Sequence, residues 1–416
     1  MAGISDPSKW ALPAAVIAIC AFLTAVMRIS YDSFAIFLLP LSREFGWARA
    51  ETAGIYGAMM LCFGIGCPIA GRLMDHWGPR WTYVLGAVGL ALGFWAARSS
   101  SALWQFYLAI GVCVGLSGAL VGTVSHAALL ARWFGANLTI AIAAAAAASG
   151  IGVLVFAPLL QWLIDADGWR WTYAMLAAVA LGLAVILFAL PWHRLGGPKT
   201  PVLARRAPPA SGSDPVALSP PVTGARDAYR QTRFWALFGL QFLTAVSVFS
   251  LNPQIVALLV DHGFDPLASA SAFGAAGFMG TAGLMVFGWL ADRRGRTLAL
   301  SLSFAMTIAG FAALGLVTVV SSWWLVGLFV LIYGPTFGAR GPIVNGLIPR
   351  VFGRGPSLGL ILGSVHMGLG LGAATGATLG GYLHDISGYR AVILVAIAAS
   401  AAALTLYLSV GSVRKA

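Results

Sequence analysis

The amino-acid sequence predicts an all-α membrane protein of about twelve transmembrane helices, arranged as two pseudo-symmetric six-helix bundles. Three observations predict this fold: the composition, the spacing of apolar runs, and an internal repeat. Of the 416 residues, 59% are hydrophobic and only 9% are charged, whereas a soluble domain carries about 25% charged residues. Most of the chain is therefore expected to lie in a lipid bilayer.

Apolar runs recur along the whole chain between short polar breaks. Each run has roughly 19 to 31 residues, and nearly all are long enough to cross about 30 Å of hydrocarbon at 1.5 Å per residue. The first run is too long for the core of a signal peptide, so it predicts a first membrane helix. The predicted spans are residues 10–40, 51–74, 80–98, 102–130, 136–164 and 170–192, then 233–260, 267–291, 297–320, 323–348, 356–384 and 389–411.

A polar segment separates the two sets of helices. Residues 193–232 contain seven prolines among alanine, serine and basic residues, and such a segment is too polar and too broken to span a membrane. The sequence therefore predicts an N-terminal half over residues 1–192, a linker over 193–232 and a C-terminal half over 233–416.

Basic residues indicate the orientation of the chain. The linker and the other even-numbered connections between helices are rich in arginine, whereas the odd-numbered connections carry most of the loop acids. Positively charged loops lie on the cytoplasmic side of a membrane. We therefore expect a multi-pass protein of the bacterial inner membrane, with a cytoplasmic linker and both termini in the cytoplasm.

The net charge of +12 does not indicate a nucleic-acid-binding protein, because the basic residues are spread over short loops instead of forming one patch. The cysteines Cys20, Cys62, Cys67 and Cys113 lie inside apolar runs without metal-ligand spacing. A nucleotide-binding loop of the Gly-x-x-x-x-Gly-Lys type does not occur. We expect no metal and no cofactor, and a proton gradient instead of ATP as the energy source.

Several segments of the first half recur in the second half. Phe22–Val26 reappears as Phe242–Val246, an offset of 220 residues, and Gly71–Gly78 returns as Gly288–Gly295, an offset of 217. Such self-similarity indicates duplication. Two parallel halves place a substrate site between them near the membrane midplane. The repeat therefore predicts a transporter that works by alternating access, for which one chain suffices as a monomer.

The connection after the second predicted helix carries a recognisable motif. It reads Gly-x-Leu-x-Asp-x-x-Gly-x-Arg from Gly71 to Arg80, with a degenerate copy from Gly288 to Arg296. This pattern resembles the signature of the major facilitator superfamily. An acid there can cap a neighbouring helix, and an arginine can pair with acids or with helix C-termini. The candidate gating residues are Gly71, Asp75, Gly78, Arg80, Asp292, Arg293 and Arg296.

The end of the first helix looks like one branch of that superfamily. Tyr31–Phe34 and Leu41–Trp47 resemble the bacterial monocarboxylate and oxalate/formate transporters, which implies a small organic anion as substrate. Members of that branch bind the carboxylate through an arginine of the eighth helix, whereas Phe278–Ala282 has no cation here. In the fifth helix Gly150–Pro158 partly resembles the glycine-proline motif of drug/proton antiporters. Close packing between helices explains that pattern equally well.

Charges inside the predicted spans are few, and each costs at least about 2.5 to 3.5 kcal/mol at the membrane centre. Arg28 and Asp32 are four residues apart on the first helix, so they share one face and can form an ion pair. The pair is either structural or also part of the substrate path. In the second interpretation Arg28 contacts the substrate and Asp32 carries the proton.

Arg340 on the tenth helix has no acidic neighbour in sequence. Because a guanidinium group matches the geometry of a carboxylate, Arg340 is the leading candidate for anion binding; the alternative is a structural pairing with Asp32 or with backbone carbonyls. The resemblance implies that helices one, four, seven and ten line the cavity. Secondary candidates on these helices are Tyr31, His126, Asn252, Gln254, Tyr333 and Asn345. Because the histidine side chain ordinarily titrates near neutral pH, His126 and His366 are candidate proton carriers, although a lone membrane histidine is more often a packing residue.

These features predict a secondary transporter for a small organic anion, a monocarboxylate by resemblance, coupled to protons by symport. Anion exchange and proton-driven efflux of drugs or metabolites are the alternatives within transport. An enzyme is not expected, because the sequence shows no cluster of catalytic side chains on one helix.

Overall fold

The computed structural model describes residues 8–134, 138–196, 225–352 and 358–411. Eight stretches of these residues are long and apolar enough to cross a membrane. Two of the eight, Ala144–Ala189 and Ile361–Ser409, each contain two helices, because the backbone leaves the helical conformation at Gly168 and at Gly388. Together with the helices at Gly78–Ser99 and at 323–352, the described residues form twelve transmembrane helices.

The first six helices follow one another with short turns. The first is Ser8–Asp32 continued by Phe34–Phe45, the second Arg49–His76 and the third Gly78–Ser99. The fourth runs through Leu103–Phe106, Tyr107–Val114, Gly115–Leu120 and Thr123–Trp133. The fifth and sixth lie on either side of Gly168 within Leu138–Ala189.

The second set repeats this order. The seventh helix is Thr232–Leu251, continued by Asn252–Gln254 and Ile255–Asp261; the eighth is Pro266–Arg294 and the ninth Arg296–Val317. The tenth runs through Trp323–Tyr333, Gly334–Thr336 and Arg340–Phe352, and the eleventh and twelfth lie on either side of Gly388 within Leu358–Ser409. The predicted spans agree with these bounds to within a turn or two.

Short helices at Trp192–Leu195 and Ala225–Tyr229 flank the predicted linker. Residues 197–224, most of that linker, lie outside the described residues. The division of the chain at residues 192 and 233 therefore stays a prediction.

The duplication is visible in the backbone. Of the seven described glycines with positive φ, six form pairs at matching places in the two halves: Gly46 with Gly263, Gly78 with Gly295, and Gly168 with Gly388. Because residues with a side chain rarely adopt these angles, glycine lets the chain turn sharply between helices. The pairs are separated by the same offsets as the sequence repeats, so both halves turn at equivalent positions.

The two halves meet along two related seams. The second helix packs on the eleventh, where a Cβ added to Gly57 would lie 2.9 Å from the Ala374 carbonyl oxygen. The fifth packs on the eighth, where a Cβ added to Gly274 would lie 3.0 Å from the Val153 carbonyl oxygen. Small residues permit this approach of two backbones, which drives helix association in a bilayer.

The seams are tight over only part of their length. We call the membrane face with Gly78, Gly295 and the short helices Trp192–Leu195 and Ala225–Tyr229 the linker face, and the opposite one, with Gly46, Gly168, Gly263 and Gly388, the far face. The tight contacts lie in the middle and toward the far face. Toward the linker face, a Cβ added to Gly288 or Gly363 would meet no described atom within 4 Å. Among the described residues, the halves are thus in close contact in the middle and toward the far face, and open space lies beside Gly288 and Gly363 toward the linker face.

Close packing predicts which glycines tolerate a side chain. A Cβ at Gly380 would lie 2.2 Å from the Ser250 carbonyl oxygen, whereas at Gly182 it would meet nothing within 4 Å. Overpacking a tight contact costs about 1 to 3 kcal/mol. We expect Gly380→Val to lower the melting temperature of the detergent-purified protein by several degrees, and Gly182→Val to leave it nearly unchanged. Equal melting temperatures for the two variants would contradict the packing described.

Candidate functional site

Four helices are interrupted near their middle, at related positions in the two halves. The first helix is broken at Ser33 and the seventh at Asn252–Gln254. The fourth is broken at Val121 and Gly122, and the tenth between Gly334 and Ala339. Breaks of this kind expose backbone polar groups and side chains at the membrane midplane, where transporters place their substrate sites. The helices expected to line the cavity are thus the interrupted ones.

Arg28 and Asp32 form the predicted ion pair at the first of these breaks. Their side chains are 2.7 Å apart, and Asp32 is the last residue before the break. The Asp32 side chain is 4% exposed and the Arg28 side chain 26% exposed. The Arg28 guanidinium also lies over the Phe337 ring, 5.2 Å from its centroid. Because Phe337 belongs to the tenth helix, the pair faces the opposite half of the protein.

Polar side chains from three further helices surround Asp32. Tyr56 of the second helix and Asn252 of the seventh lie beside its carboxylate, and Tyr333 of the tenth lies near both charges of the pair. Within the described residues, the Tyr333 hydroxyl has no hydrogen-bond partner, and the Asn252 amide makes no hydrogen bond of good geometry although it lies beside Asp32 and Tyr56. A buried polar group left unpaired costs about 1 to 3 kcal/mol. These groups are therefore suited to receive a polar ligand.

Two neighbouring cavities lie beside this cluster. The first, which we call the Asp32 cavity, is a void of about 10 Å³ between the first, fifth and eighth helices. The second, the Tyr333 cavity, is a void of about 10 Å³ between the fifth, seventh, eighth and tenth helices, and each has room for about one water molecule. Both share Val153 and Phe273. The Asp32 cavity is otherwise lined by Ile29, Asp32, Ser33, Ile36, Phe156, Ala157 and Leu160, and the Tyr333 cavity by Asn252, Ile255, Ala276, Gly277, Tyr333 and Phe337.

Arg340 lies inside the C-terminal half. Its residue is 4% exposed, its guanidinium donates a hydrogen bond to the Thr307 hydroxyl of the ninth helix, and it lies 4.5 Å from the centroid of the Phe304 ring. Like Arg28, it lines neither cavity. Nη1 of Arg340 has no partner among the described residues. Arg340 also lies near Tyr333, which lines the Tyr333 cavity. Its predicted role as the leading anion-binding residue is untested.

Two other predicted residues, Tyr31 and His126, direct their side chains into the first half. The Tyr31 hydroxyl faces Gly118 of the fourth helix, and its ring packs edge-on against Phe63. Nδ1 of His126 is 3.0 Å from the Tyr83 hydroxyl in the interior of the first half. These residues line neither cavity, and their predicted contact with substrate stays a prediction.

The remaining secondary candidates also differ in position. His366 is an exposed residue of the eleventh helix, one turn before Gly370, which faces Gly64 across the seam. The Gln254 amide donates to the Ser250 carbonyl oxygen at 3.1 Å. The side chain of Asn345 lies outside the described residues. The proton-coupling role predicted for His366 is untested.

The motif residues lie at the linker face. Gly78 and Gly295 have φ of 77° and 95°, which explains glycine at both positions. Arg80 stacks 4.2 Å from the centroid of the Phe188 ring, and Arg296 donates to the Gly346 carbonyl oxygen at 3.4 Å. Gly71 packs near Val124, 3.9 Å from the position of an added Cβ, whereas Asp75, Asp292 and Arg293 are exposed. Their predicted gating role is untested.

The far face carries polar contacts between the halves that sequence reasoning missed. Arg49 pairs with Asp261 at 2.7 Å. The backbone N–H groups of Arg49 and Ala50 donate to the two oxygens of Asp385 at 3.0 and 2.9 Å. The second helix begins after Ala48, which has no side chain suited to capping. Asp385 of the other half thus caps it, and we call these contacts the far-face latch.

The far-face latch is expected to hold the two halves together at the far face. We expect Asp385→Ala to widen the far face, because the first N–H groups of the second helix lose their acceptor. Double electron–electron resonance between spin labels at Ser99 and Val319, in a background without native cysteines, measures that distance. Glu44→Gln is the matched control, since Glu44 contacts Trp169 and Arg170 of its own half. An unchanged distance distribution in Asp385→Ala would argue against the latch.

Comparison with known proteins identifies the family. The family model described as Major Facilitator Superfamily matches residues 17–357. The chain is 28% identical over 376 residues to monocarboxylate transporter 13 of Rattus norvegicus, covering 90% of this chain and 83% of the relative. It is 29% identical over 403 residues to monocarboxylate transporter 11 of Homo sapiens, covering 91% and 78%.

A solved structure agrees with the fold. The crystal structure of a bacterial homolog to the human lysosomal transporter Spinster, in an inward-facing and occupied conformation, has a TM-score of 0.69 and 15% identity, covering 97% of each chain. The predicted fold and family are thereby confirmed: the chain is a multi-pass membrane protein that belongs to the major facilitator superfamily of transporters.

Proposed function

We propose that the protein is a secondary transporter that moves a small monocarboxylate together with a proton across the bacterial inner membrane. The observation that supports this most is the Arg28–Asp32 pair, which lies at a helix break and faces the opposite half through Phe337. The relatives named monocarboxylate transporters support the same substrate class.

Arg28 is the proposed anion-binding residue. A guanidinium group presents two parallel donors to a carboxylate, and such pairs are stronger than hydrogen bonds between neutral groups. Arg28 is more exposed than Asp32, at 26% against 4% of the side chain, so an anion can reach it. Asn252, which lies beside Asp32, and Tyr333, whose hydroxyl has no partner among the described residues, offer further donors to the carboxylate. In this proposal Arg340 stays a secondary candidate, because its guanidinium contacts Thr307.

Asp32 is the proposed proton site. When Asp32 is ionised it neutralises Arg28 and competes with the substrate. Protonation of Asp32 frees the guanidinium, which then binds the substrate carboxylate. Proton and anion therefore promote each other's binding, and this coupling is necessarily reciprocal.

Charge balance favours one proton for each anion. The empty site holds one cation and one anion, and the loaded site holds the cation, a neutral Asp32 and the substrate carboxylate. Both states have zero net charge, whereas an anion without its proton would leave the site negative inside the membrane, at a cost of at least about 2.5 kcal/mol. The protein is expected to move its site readily from one side of the membrane to the other only in these two neutral states.

The positions of the two halves support alternating access. Among the described residues they are in contact at the far face, and open space lies beside Gly288 and Gly363 toward the linker face. Because arginines mark the linker face as cytoplasmic, we assign this arrangement to the step in which the site communicates with the cytoplasm. Breaking the far-face latch and closing the linker face would expose the site to the other side.

Proton-driven efflux of an amphipathic compound is the second candidate function. Phe156, Phe273, Tyr333 and Phe337 line the two cavities beside a single acid, a lining that also suits a drug-like molecule. The two functions differ in direction and in the charge of the substrate. An inward proton gradient accelerates uptake of an anion by a symporter, but it drives expulsion by an antiporter.

The test of the proposed function is uptake of labelled monocarboxylates into proteoliposomes, with and without an inward proton gradient. We expect accumulation only when the gradient is present. Gradient-dependent expulsion of a cationic dye without carboxylate uptake would favour the efflux function. Carboxylate exchange that does not respond to the gradient would indicate an exchanger.

Asp32→Asn separates binding from coupling. Asparagine resembles the protonated acid and leaves Arg28 free to bind the anion. We expect the variant to lose gradient-driven accumulation while it keeps exchange of internal for external substrate, measured in the same vesicles. Loss of both activities in a folded protein would contradict the proposed division of roles.

Substitutions of the arginines test which of them binds the anion. We expect Arg28→Gln to weaken substrate affinity roughly ten- to a hundredfold, since a hydrogen bond to a charged group contributes about 1.5 to 3 kcal/mol. Arg28→Lys keeps the charge and should retain part of the affinity. Arg340→Gln is the comparison, with a smaller expected loss. A larger loss of substrate affinity in Arg340→Gln than in Arg28→Gln would indicate that Arg340, and not Arg28, binds the anion.

A further inference from the structure

We infer that the far-face latch responds to pH through His384: a proton on this histidine releases the latch and favours separation of the halves at the far face. The inference goes beyond the proposed function, because it assigns a role to a residue outside the substrate site and holds for any substrate. It concerns the last turn of the eleventh helix, where His384 directly precedes Asp385.

His384 lies beside both contacts of the latch. Its side chain is 22% exposed, its Nδ1 is 3.5 Å from Oδ1 of Asp385, and its ring centroid is 4.3 Å from that of Tyr389. The same Asp385 oxygen accepts a hydrogen bond from the Arg49 N–H at 3.0 Å. The Tyr389 hydroxyl donates to Asp261, which is also the partner of the Arg49 guanidinium. A change of charge on the ring therefore acts on the whole latch.

The charges of the latch balance when His384 is neutral. Two cations, Arg43 and Arg49, lie at the carboxylates of Asp261 and Asp385, and Arg43 is 3.9 Å from Asp261. Among the described residues, the charged groups that act on the His384 ring are Arg49, Asp385 and Asp261. A proton on the ring would add a third cation to this group of two cations and two anions.

The N-terminal half opposes a positive charge on His384 while the latch is formed. The Arg49 side chain repels such a charge, and so does the positive end of the second helix, whose first N–H groups point at Asp385. A protonated ring would also compete with these N–H groups for the carboxylate, because a charge-assisted hydrogen bond is stronger than one between neutral groups. Protonation and the latch therefore oppose each other.

Separation of the halves removes this opposition. The imidazole gains water, Arg49 moves away, and Asp385 loses its backbone donors and becomes free to pair with the ring. The C-terminal end of the eleventh helix favours a cation at His384 in both states. The proton is thus bound more tightly after separation, so by linkage it promotes separation. The latch is expected to hold at neutral pH and to weaken as the pH falls through the range in which histidine titrates.

This response would suit a transporter that is driven by a proton gradient. Arginines mark the linker face as cytoplasmic, so protons enter from the far face in the proposed symport. Acid at that face would favour the conformation that admits the substrate with its proton. This consequence rests on the proposed function, whereas the response of the latch itself does not.

Double electron–electron resonance tests the inference, with spin labels at Ser99 and Val319 in nanodiscs without substrate and in the same cysteine-free background. Between about pH 7.5 and about pH 5.5, we expect the ratio of separated to latched molecules to rise about fivefold. His384→Gln should keep the latched distance distribution at both pH values. His384→Lys, which carries a permanent charge, should be separated at both.

His262→Gln is the matched control. His262 lies at the same face, with its ring centroid 5.8 Å from that of Tyr389, but its Nδ1 is 2.7 Å from the Leu258 carbonyl oxygen of its own helix. This variant should respond to pH as fully as the protein with both histidines. A response that originates at Asp32 would instead persist in His384→Gln and disappear in Asp32→Asn.

The outcomes separate the inference from the proposed function. The same distance distribution at both pH values, or an undiminished response in His384→Gln, would overturn the inference and leave the proposed function standing. Failure of every carboxylate to enter proteoliposomes would refute the proposed function and leave the response of the latch unaffected.

Discussion

The ion pair between Arg28 and Asp32 is the constraint on which the rest of the site depends. Either charge alone would be costly inside a bilayer, and the pair is tolerated because each group neutralises the other at 2.7 Å. Any process that changes the charge of one member must supply a partner for the other. A proton for Asp32 and a carboxylate for Arg28 satisfy this condition together, which is why the pair suits symport.

The position of the pair follows from the helix break. Asp32 is the last residue of the first segment of its helix, directly before Ser33. A continuous apolar helix would present its side chains to neighbours in a regular stripe, whereas a break reorients the chain and gives access to a cavity. The matching break at Asn252 in the seventh helix brings an uncharged amide beside the same carboxylate.

The two halves share a backbone plan but differ in chemistry. The repeat aligns Arg28 with Val248 and Asp32 with Asn252, so the pair exists in the first half and a neutral amide takes the acid's place in the second. The far face is asymmetric in the same way. Asp385 caps the second helix across the seam, whereas the eighth helix is capped by its own Asp265. Divergence after duplication thus produced one charged site and one latch.

The sequence predicted the helices and the ion pair because both depend on local patterns. Apolar length predicts a membrane span, and a spacing of four predicts that Arg28 and Asp32 meet. Contacts that depend on rotation of one helix against another were not predictable. Arg340 lies on the expected helix, but its guanidinium is directed toward Thr307 of the ninth helix.

Two further features gave no sequence signal. The cavity walls at Val153, Phe156 and Phe273 have the same residue types as a lipid-facing surface, so composition does not distinguish them. The Asp385 carboxylate, at the end of the eleventh helix, reaches the second helix from more than three hundred residues away in the sequence. This role depends on the packing of the two halves against each other, so the sequence alone predicts only an ordinary acidic residue between two helices.

The central claim is that proton and anion bind as a pair at Arg28 and Asp32. Proton uptake on anion binding tests it most directly, measured with a pH indicator in weakly buffered solution of the purified protein, at a pH where Asp32 is ionised. The account predicts about one proton taken up for each anion bound to the wild-type protein, and none for Asp32→Asn, which still binds the anion. Anion binding without proton uptake by the wild type, or unchanged uptake in Asp32→Asn, would contradict it.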